Sequence, residues 1–484
     1  MAEVYDLVVV GGGSAGLTAV GFAQGMGARV ALIERERTGG DCTWTGCVPS
    51  KTLLKVAKVA HHMRSAERYG MTAVEPQVDL KAVMAHVRDV VLETYQEETP
   101  EALRERGIDV MLGQARFADP HTLVAGDATL KARNVVIASG AHPLVPAIDG
   151  LDRVDYLTTT TIWDLESLPR HLIVVGGGPV GCEMAQAFRR LGAEVTVVQS
   201  RDRLLPRDDR DASRVLGEVF QEEGIEVLCG SRAIRTWQDD GGIHLVAGDH
   251  TAVGDALLVA VGRQPNVEGL DLEKAGVAYS DRGIAVDDKL RSRQPHIFAA
   301  GDCLGTHQFT HYAGWQAAIA VSNALLPVAL KGVRQTVPWT TFTDPEVAHA
   351  GLTEAQARER FGAGVEALSW PMTRVDRPRT AGDTRGFVKV VHKGGSVLGA
   401  SVVSERAGEL IQEWIYVMEH GLKLRDVAIG VHVYPTFSRA NAKIGGQLVV
   451  DRLLAGRFSR PVKGVLQLLL RWMRWRLGTQ PRGF

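Results

Sequence analysis

Cysteine is scarce in this chain, with five residues among 484. So few thiols over such a length make no disulfide framework, and no apolar segment of signal-peptide type follows Met1. A secreted protein is therefore not expected, and a reducing cytoplasm is. Charge imbalance is missing too: 55 basic against 56 acidic residues leave a formal net charge of -1, which gives no electrostatic footprint for nucleic acid. No repeat of solenoid period occurs. A single core is excluded by size, because 484 residues with 45% apolar content divide into about three domains.

What the chain has is a close pair of thiols. "GGDCTWTGCVPSK", residues 39–51, places Cys42 and Cys47 with four residues between them. In a reducing compartment such a pair is more often catalytic or metal-binding than structural. Three readings stand: a redox pair, metal ligands, or two buried thiols. Zinc needs further Cys or His ligands at short spacing and none follow nearby, so no metal site is expected.

A glycine pattern occurs twice. In "YDLVVVGGGSAGLTAVGFAQGMGARVALIERE" an apolar run ends in Gly11, Gly13 and Gly16, a helix-like stretch follows, and a second apolar run ends at Glu34. This is the dinucleotide fingerprint, in which glycines let the backbone approach a pyrophosphate at a helix N-terminus and the acid accepts ribose hydroxyls. It returns in "HLIVVGGGPVGCEMAQAFRRLGAEVTVVQSRDRLLP" with Gly176, Gly178 and Gly181. Two units imply two nucleotides, a flavin and a nicotinamide. Gln199 stands where Glu34 stands in the first, followed by Arg201 and Arg203. Removing the carboxylate and adding guanidinium groups makes room for a 2′-phosphate, so NADPH is expected over NADH.

The order of a first fingerprint, "GGDCTWTGCVPSK", a second fingerprint, "LLVAVGRQPN" and "IFAAGDC" resembles the pyridine nucleotide-disulfide oxidoreductases, the group of dihydrolipoamide dehydrogenase, glutathione reductase and mercuric reductase. The resemblance covers about residues 4–450. It implies an α/β fold of two Rossmann-like nucleotide-binding domains plus a C-terminal α+β dimerisation domain, and hence a homodimer. The boundaries it implies are 1–150 with 281–334 for FAD, 151–280 for NAD(P)H and 335–455 for the interface, before a tail at 456–484.

The resemblance also implies roles. Cys47 is the thiol against the flavin and Cys42 the interchange thiol that meets substrate. Lys51 matches the family lysine near the flavin, and Glu183 the glutamate paired with it. Asp302 matches the aspartate that bonds the ribityl chain of FAD, while Ser139, Gly140 and Gly262 lie in strand-turns where backbone approaches a cofactor. Cys182, Cys229 and Cys303 read as small buried hydrophobes.

One stretch departs from the family. Where its disulfide reductases carry a His-Pro-Thr motif with a glutamate, "VHVYPTFSRANAK" places Tyr434 for the histidine and Arg439 for the glutamate. A phenol with an ordinary pKa near 10 is a poor proton shuttle at neutral pH. His432, two residues away in an extended segment, is expected to point elsewhere. The motif resembles the mercuric reductase branch, which also lacks that histidine, yet no cysteine pair follows Cys303 to relay a metal. The expected function is electron transfer from NAD(P)H through FAD and Cys42–Cys47 to a small disulfide or thiol-reactive acceptor. A metal ion or quinone reduced directly from flavin, and a non-enzymatic flavoprotein sensor or scaffold, are the alternatives.

The tail "PVKGVLQLLLRWMRWRLGTQPRGF" lies beyond the family pattern. As a helix it puts Lys463, Gln467, Arg471 and Arg474 on one stripe, and Val465, Leu466, Leu469, Leu470, Trp472 and Met473 on an apolar face. The run is too short and too charged to span a bilayer. It is expected either to pack on the protein's own surface or dimer partner, or to lie on a membrane through residues 461–477.

Overall fold

The computed structural model describes residues 4–454 and 459–476, which divide into two compact units. The first comprises the chain up to Arg207, Leu216–Val337 and Thr341–Thr343; the second comprises Asp208–Val215, Pro338–Thr340 and the chain from Asp344 onward.

Both glycine fingerprints of the first unit form βαβ units. In the first, strand Val4–Val10 leads into helix Ser14–Gly25 and parallel strand Val30–Glu34. Leu7, Val8, Val9 and Val10 are buried because the sheet is covered on both faces, and the helix meets it through Ala15, Gly16, Ala19, Val20 and Ala23, small residues that allow close approach. The sheet continues through Ala128–Ile137, which also pairs in parallel with Ile297–Ala299, so residues far along the chain return to this core.

The second βαβ unit has its own parallel sheet in the order Glu226–Cys229, Glu194–Gln199, His171–Val175, Ala256–Val259. Helix Pro179–Leu191 begins with proline at its first turn, where no backbone N–H is missed, and stops at Gly192, whose φ of 119° suits glycine. A three-stranded antiparallel sheet, Ala233–Asp239, Gly242–Ala247 and His250–Gly254, is added within this half.

The second unit is α+β. Neighbouring antiparallel strands run Glu346–Gly351, Ser396–Ser404, Phe387–Lys393, Val365–Pro371. Helix Ala407–Glu419 buries Leu410, Ile411, Trp414 and Val417 into the same core. The chain then forms helices Arg439–Leu454 and Ser459–Arg476.

Residues 459–476 of the tail are helical as expected. Val465, Leu469, Leu470, Trp472 and Met473 are 40–56% exposed, with Trp475 at 80%. Gln467, Arg471 and Arg474 are exposed as well, whereas the side chains of Lys463 and Leu466, and residue 477, lie outside the described residues. No described helix is long and apolar enough to cross a membrane.

Candidate active site

Cys47 opens helix Cys47–Arg64, following Gly46, and no side chain caps the helix. Its first amides therefore leave partial positive charge beside the sulfur. The Cys42 thiol stands within hydrogen-bonding reach and donates to Cys47, the largest influence on either residue. That donation holds Cys47 down to about 6 and pushes Cys42 up. Thr310 Oγ1 lies 3.3 Å from the Cys47 sulfur and lowers it further, as does the charge of Lys51. Both thiols are free, and of the two Cys47 is the one held toward the thiolate.

One helical turn past Cys47, the Lys51 ammonium donates to Glu183 Oε2 at 2.9 Å. Glu183 is 4% exposed on helix Pro179–Leu191, and its other oxygen accepts the Phe342 N–H at 2.8 Å. Lys51 also lies 4.4 Å from the centre of the Phe342 ring. The charge of this buried carboxylate is thus satisfied on both oxygens.

The glycines divide into two kinds. A Cβ on Gly11 or Gly176 would meet backbone oxygen at 2.3 or 2.4 Å, both with φ above 100°, and on Gly16 or Gly181 at 1.8 Å, so only glycine fits. Gly13 meets no protein atom closer than 3.7 Å and Gly178 none within 4 Å. Packing does not require those two, and the missing Cβ leaves room at each helix N-terminus for a pyrophosphate to approach. Glu34 is held by the N–H of Gly12 at 2.6 Å and of Glu36 at 2.8 Å, at the end of strand Val30–Glu34. These residues fit FAD and a nicotinamide nucleotide.

Gln199 is buried and accepts the Arg201 N–H at 3.4 Å. Arg201 is exposed, whereas the Arg203 guanidinium is already used on Asp202 and on the Pro206 carbonyl at 2.9 Å. The two arginines, alike in sequence, are therefore unlike in availability. Ser139 donates to the Asn266 carbonyl at 2.7 Å, and the Asn266 amide returns a bond to the Ser139 carbonyl at 2.8 Å. This clasp fixes the turn at Gly140, whose φ is 73°, while a Cβ on Gly262 would meet nothing within 4 Å. Burial raises Asp302 against the opposing pull of Arg263. Arg263 Nε lies 3.5 Å from Asp302, and its Nη2 is bonded to Asp41, the residue before Cys42. Cys303 is fully buried and pushed up to about 12 by that burial, so it is unreactive.

Tyr434 is 65% exposed, its peptide bond to Pro435 is cis, and its hydroxyl donates to Asp376 at 3.3 Å. His432 lies two residues before Tyr434 and is tied within its own unit. Its Nδ1 faces the Gly430 carbonyl at 3.0 Å and its Nε2 faces Glu413 at 2.9 Å, so both nitrogens are engaged by acceptors of its own unit. Asn441 holds the other Glu413 oxygen at 2.8 Å. Thr310, Phe342 and Glu413 carried no sequence signal, because each meets its partner only through the fold; Asp41 stood beside Cys42 in "GGDC". Arg263 did carry one, standing beside Gly262 in "VGRQPN".

Two nucleotide cradles and a close thiol pair within one unit define an oxidoreductase of the dithiol class. Residues 5–321 match the pyridine nucleotide-disulphide oxidoreductase family and residues 337–443 match its dimerisation domain, and the chain belongs to that family. It is 37% identical over 454 residues to a mercuric reductase of Streptomyces lividans, with 90% of this chain and 94% of that protein covered. It is 34% identical over 445 residues to a dihydrolipoyl dehydrogenase of Thermus scotoductus, covering 90% and 95%. Among solved structures, the Cu(II) complex of the HOCl-induced flavoprotein disulfide reductase RclA from Escherichia coli aligns at TM-score 0.83 and 29% identity over 92% of this chain and 100% of that one. LpdA from Mycobacterium tuberculosis aligns at 0.84 and 29% over the same shares. The chain is thus an FAD-dependent NAD(P)H oxidoreductase with a dithiol centre, and the dimerisation domain supports a homodimer. The scaffold alternative falls with that membership.

Proposed function

We propose that the enzyme uses NADPH to reduce small disulfides or other thiol-reactive acceptors, with Cys42 as the attacking thiol and Cys47 as the resolving one. The observation that carries this reading is the placement of the free Cys47 thiol at the start of helix Cys47–Arg64, 3.3 Å from Thr310 Oγ1, with Cys42 within reach and the Lys51–Glu183 pair one turn on. The sum is NADPH, a proton and R–S–S–R giving NADP⁺ and two R–SH. When bound, FAD carries the electron pair from nicotinamide to the Cys42–Cys47 disulfide. Cys42 passes its proton to the Cys47 sulfur as it attacks one acceptor sulfur; the Cys42–S bond forms, the acceptor S–S bond breaks, and the leaving thiolate takes that proton from Cys47 and departs as the first R–SH. Cys47 then attacks Cys42, closing the disulfide and releasing the second thiol. Lys51 and Glu183 hold the charge beside this pair constant. Asp302 and Glu34 hold FAD, with Gly11, Gly13, Gly16, Ser139 and Gly140; Gly176, Gly178, Gly181, Gly262, Gln199 and Arg201 hold NADPH. The two cradles correspond to residues 1–150 with 281–334 and to 151–280, in a cytoplasmic enzyme.

The replacement of the family's His–Glu dyad by Tyr434 and Arg439 supports a second reading, in which the acceptor is a metal ion or quinone that needs no acid for its leaving group. Steady-state turnover with disulfides, quinones and Hg(II), on wild type and Cys42→Ser, separates the two. Loss of disulfide turnover in the variant supports the dithiol route; full activity in the variant with every acceptor removes it.

The terminal helix supports a finer reading of partners. Exposed Leu468, Trp472 and Trp475 stand among Arg471, Arg474 and Arg476, with no acidic residue after Asp451. This charge pattern suits an anionic lipid interface.

A further inference from the structure

Arg263 stands one residue past Gly262, on the nicotinamide side of the first unit, and its side chain reaches across to the other half. Strand Arg263–Pro265 pairs antiparallel with Ala141–Pro143, and the Leu144 N–H donates to the Gly262 carbonyl at 3.0 Å, so backbone bonds fix where that side chain starts. Its Nη2 donates to the Ala141 carbonyl at 2.7 Å and to Asp41 Oδ2, while Nε lies 3.5 Å from Asp302 Oδ2. A guanidinium fork serves two carboxylates and a carbonyl at once, which a lysine does not. The side chains of Arg263 and Asp302 are 24% and 22% exposed, so water screens these charges only in part.

Helix Gly40–Trp44 carries Asp41 and Cys42 and is five residues long, with no side chain capping it. A helix of that length does not stand alone, so its place is set by what its side chains hold. Thr43 donates to Glu98 at 2.8 Å and the Trp44 indole to the Thr38 carbonyl at 2.7 Å, both within the FAD half. Asp41 is tied instead to Arg263. Cys42 is the next residue, and in the reading above it gives up its proton as it attacks. An unpaired carboxylate beside it disfavours that negative sulfur. Neighbours on one short helix lie well inside a Debye length of about 10 Å, so salt does not remove the effect.

We infer that Arg263 is a positioning residue for Cys42: it neutralises Asp41 and holds the turn that carries the attacking sulfur, sharing its other face with Asp302. The inference rests on the dithiol reading above, in which Cys42 attacks. Cys47 and the hydroxyls of Thr310 and Ser14 also face Cys42, with Lys51 and Glu183 beside Cys47, and the variants below leave all of these in place.

The readout is alkylation of Cys42 by iodoacetamide in reduced, FAD-loaded protein across about pH 6 to 10, located by peptide fragmentation, because the rate follows the thiolate. Arg263→Gln is expected to move the Cys42 profile up by about one pH unit, which is about tenfold slower at neutral pH. Adding Asp41→Asn to that variant should undo most of the shift, whereas damage to the fold would not answer to a second substitution. An unshifted profile in Arg263→Gln, or a shift that Asp41→Asn leaves in place, overturns the inference. Should Arg263→Gln fail to fold or lose FAD, Asp41→Asn alone decides. With the carboxylate gone and Arg263 kept, the Cys42 profile should move down; one that stays or moves up overturns the inference. If wild type reduces no disulfide, the dithiol reading fails separately, and the alkylation profiles still judge Arg263.

Discussion

Cys42 and Cys47 have the same side chain and differ in proton affinity only through their neighbours. Because Cys47 is held down to about 6, it is a thiolate above that pH and takes a proton below it. Anaerobic addition of about two electrons per FAD is therefore expected to give a long-wavelength thiolate-to-flavin absorption at neutral pH, fading as pH falls through about 6 and absent in Cys47→Ser. Bleaching without that absorption would remove the dithiol centre. Arg201 and Arg203 make the same point about surroundings. Replacing Arg201 with Ala should raise KM for NADPH much more than for NADH, while Arg203→Ala, whose guanidinium is tied to Asp202 and Pro206, should change both little. Equal effects of Arg201→Ala on the two nucleotides would place that side chain in solvent. Sequence made the glycines, Glu34 and the thiols legible because each needs its residue type locally. It hid Thr310, 263 positions from the sulfur it touches, because nothing local ties the two together.

Elements show where pattern and burial part. "FVKVVHK" reads as an alternating strand, yet Phe387–His392 are all buried, since both faces of the strand are covered. Lys389 is the consequence: 6% exposed, it meets Asp209 at 3.0 Å, Asp211 at 2.8 Å and Glu354 at 2.7 Å. Burial alone would lower its proton affinity, and the three carboxylates together raise it instead. Lys389→Met would leave buried carboxylate charge unpaired and should cost about 3–5 kcal/mol, read as a lower urea midpoint. A loss below about 1 kcal/mol would mean that water already screens the cluster. For the helix Ser459–Arg476, full-length protein should sediment with anionic liposomes at low salt and a version ending at Arg460 should not. Both remaining in the supernatant would assign the apolar face to protein packing. The antiparallel sheet at 233–254 was not anticipated, although the burial of "GIHLVA" alternates as a half-covered strand should.

At the scale of the whole molecule the family pattern made the architecture legible, and the departures from it carry the specificity. Turnover of lipoamide or glutathione disulfide should be slow, and Tyr434→His should raise it by less than about tenfold, against the roughly 10²–10⁴ of an oriented general acid, because Arg439 supplies no carboxylate to hold the imidazole. Rapid wild-type turnover of either disulfide would sink this account. His432 shows why such a prediction needs the fold: adjacent in sequence, it is pinned between Gly430 and Glu413.

Lys51 with Glu183, Arg263 with Asp41, and the Trp163 indole N–H with the Thr45 carbonyl at 3.0 Å each join one half of the first unit to the other. The two halves look like interchangeable cassettes, since each carries its own sheet and fingerprint. They are not. A chimera that imports residues 151–280 from a relative to change nucleotide preference would inherit someone else's partners for Lys51, Asp41 and Thr45, and its thiols would sit in an altered field. Grafting must therefore carry Glu183, Arg263 and Trp163 across unchanged, and the recombination points that respect them are fewer than the sheet boundaries invite.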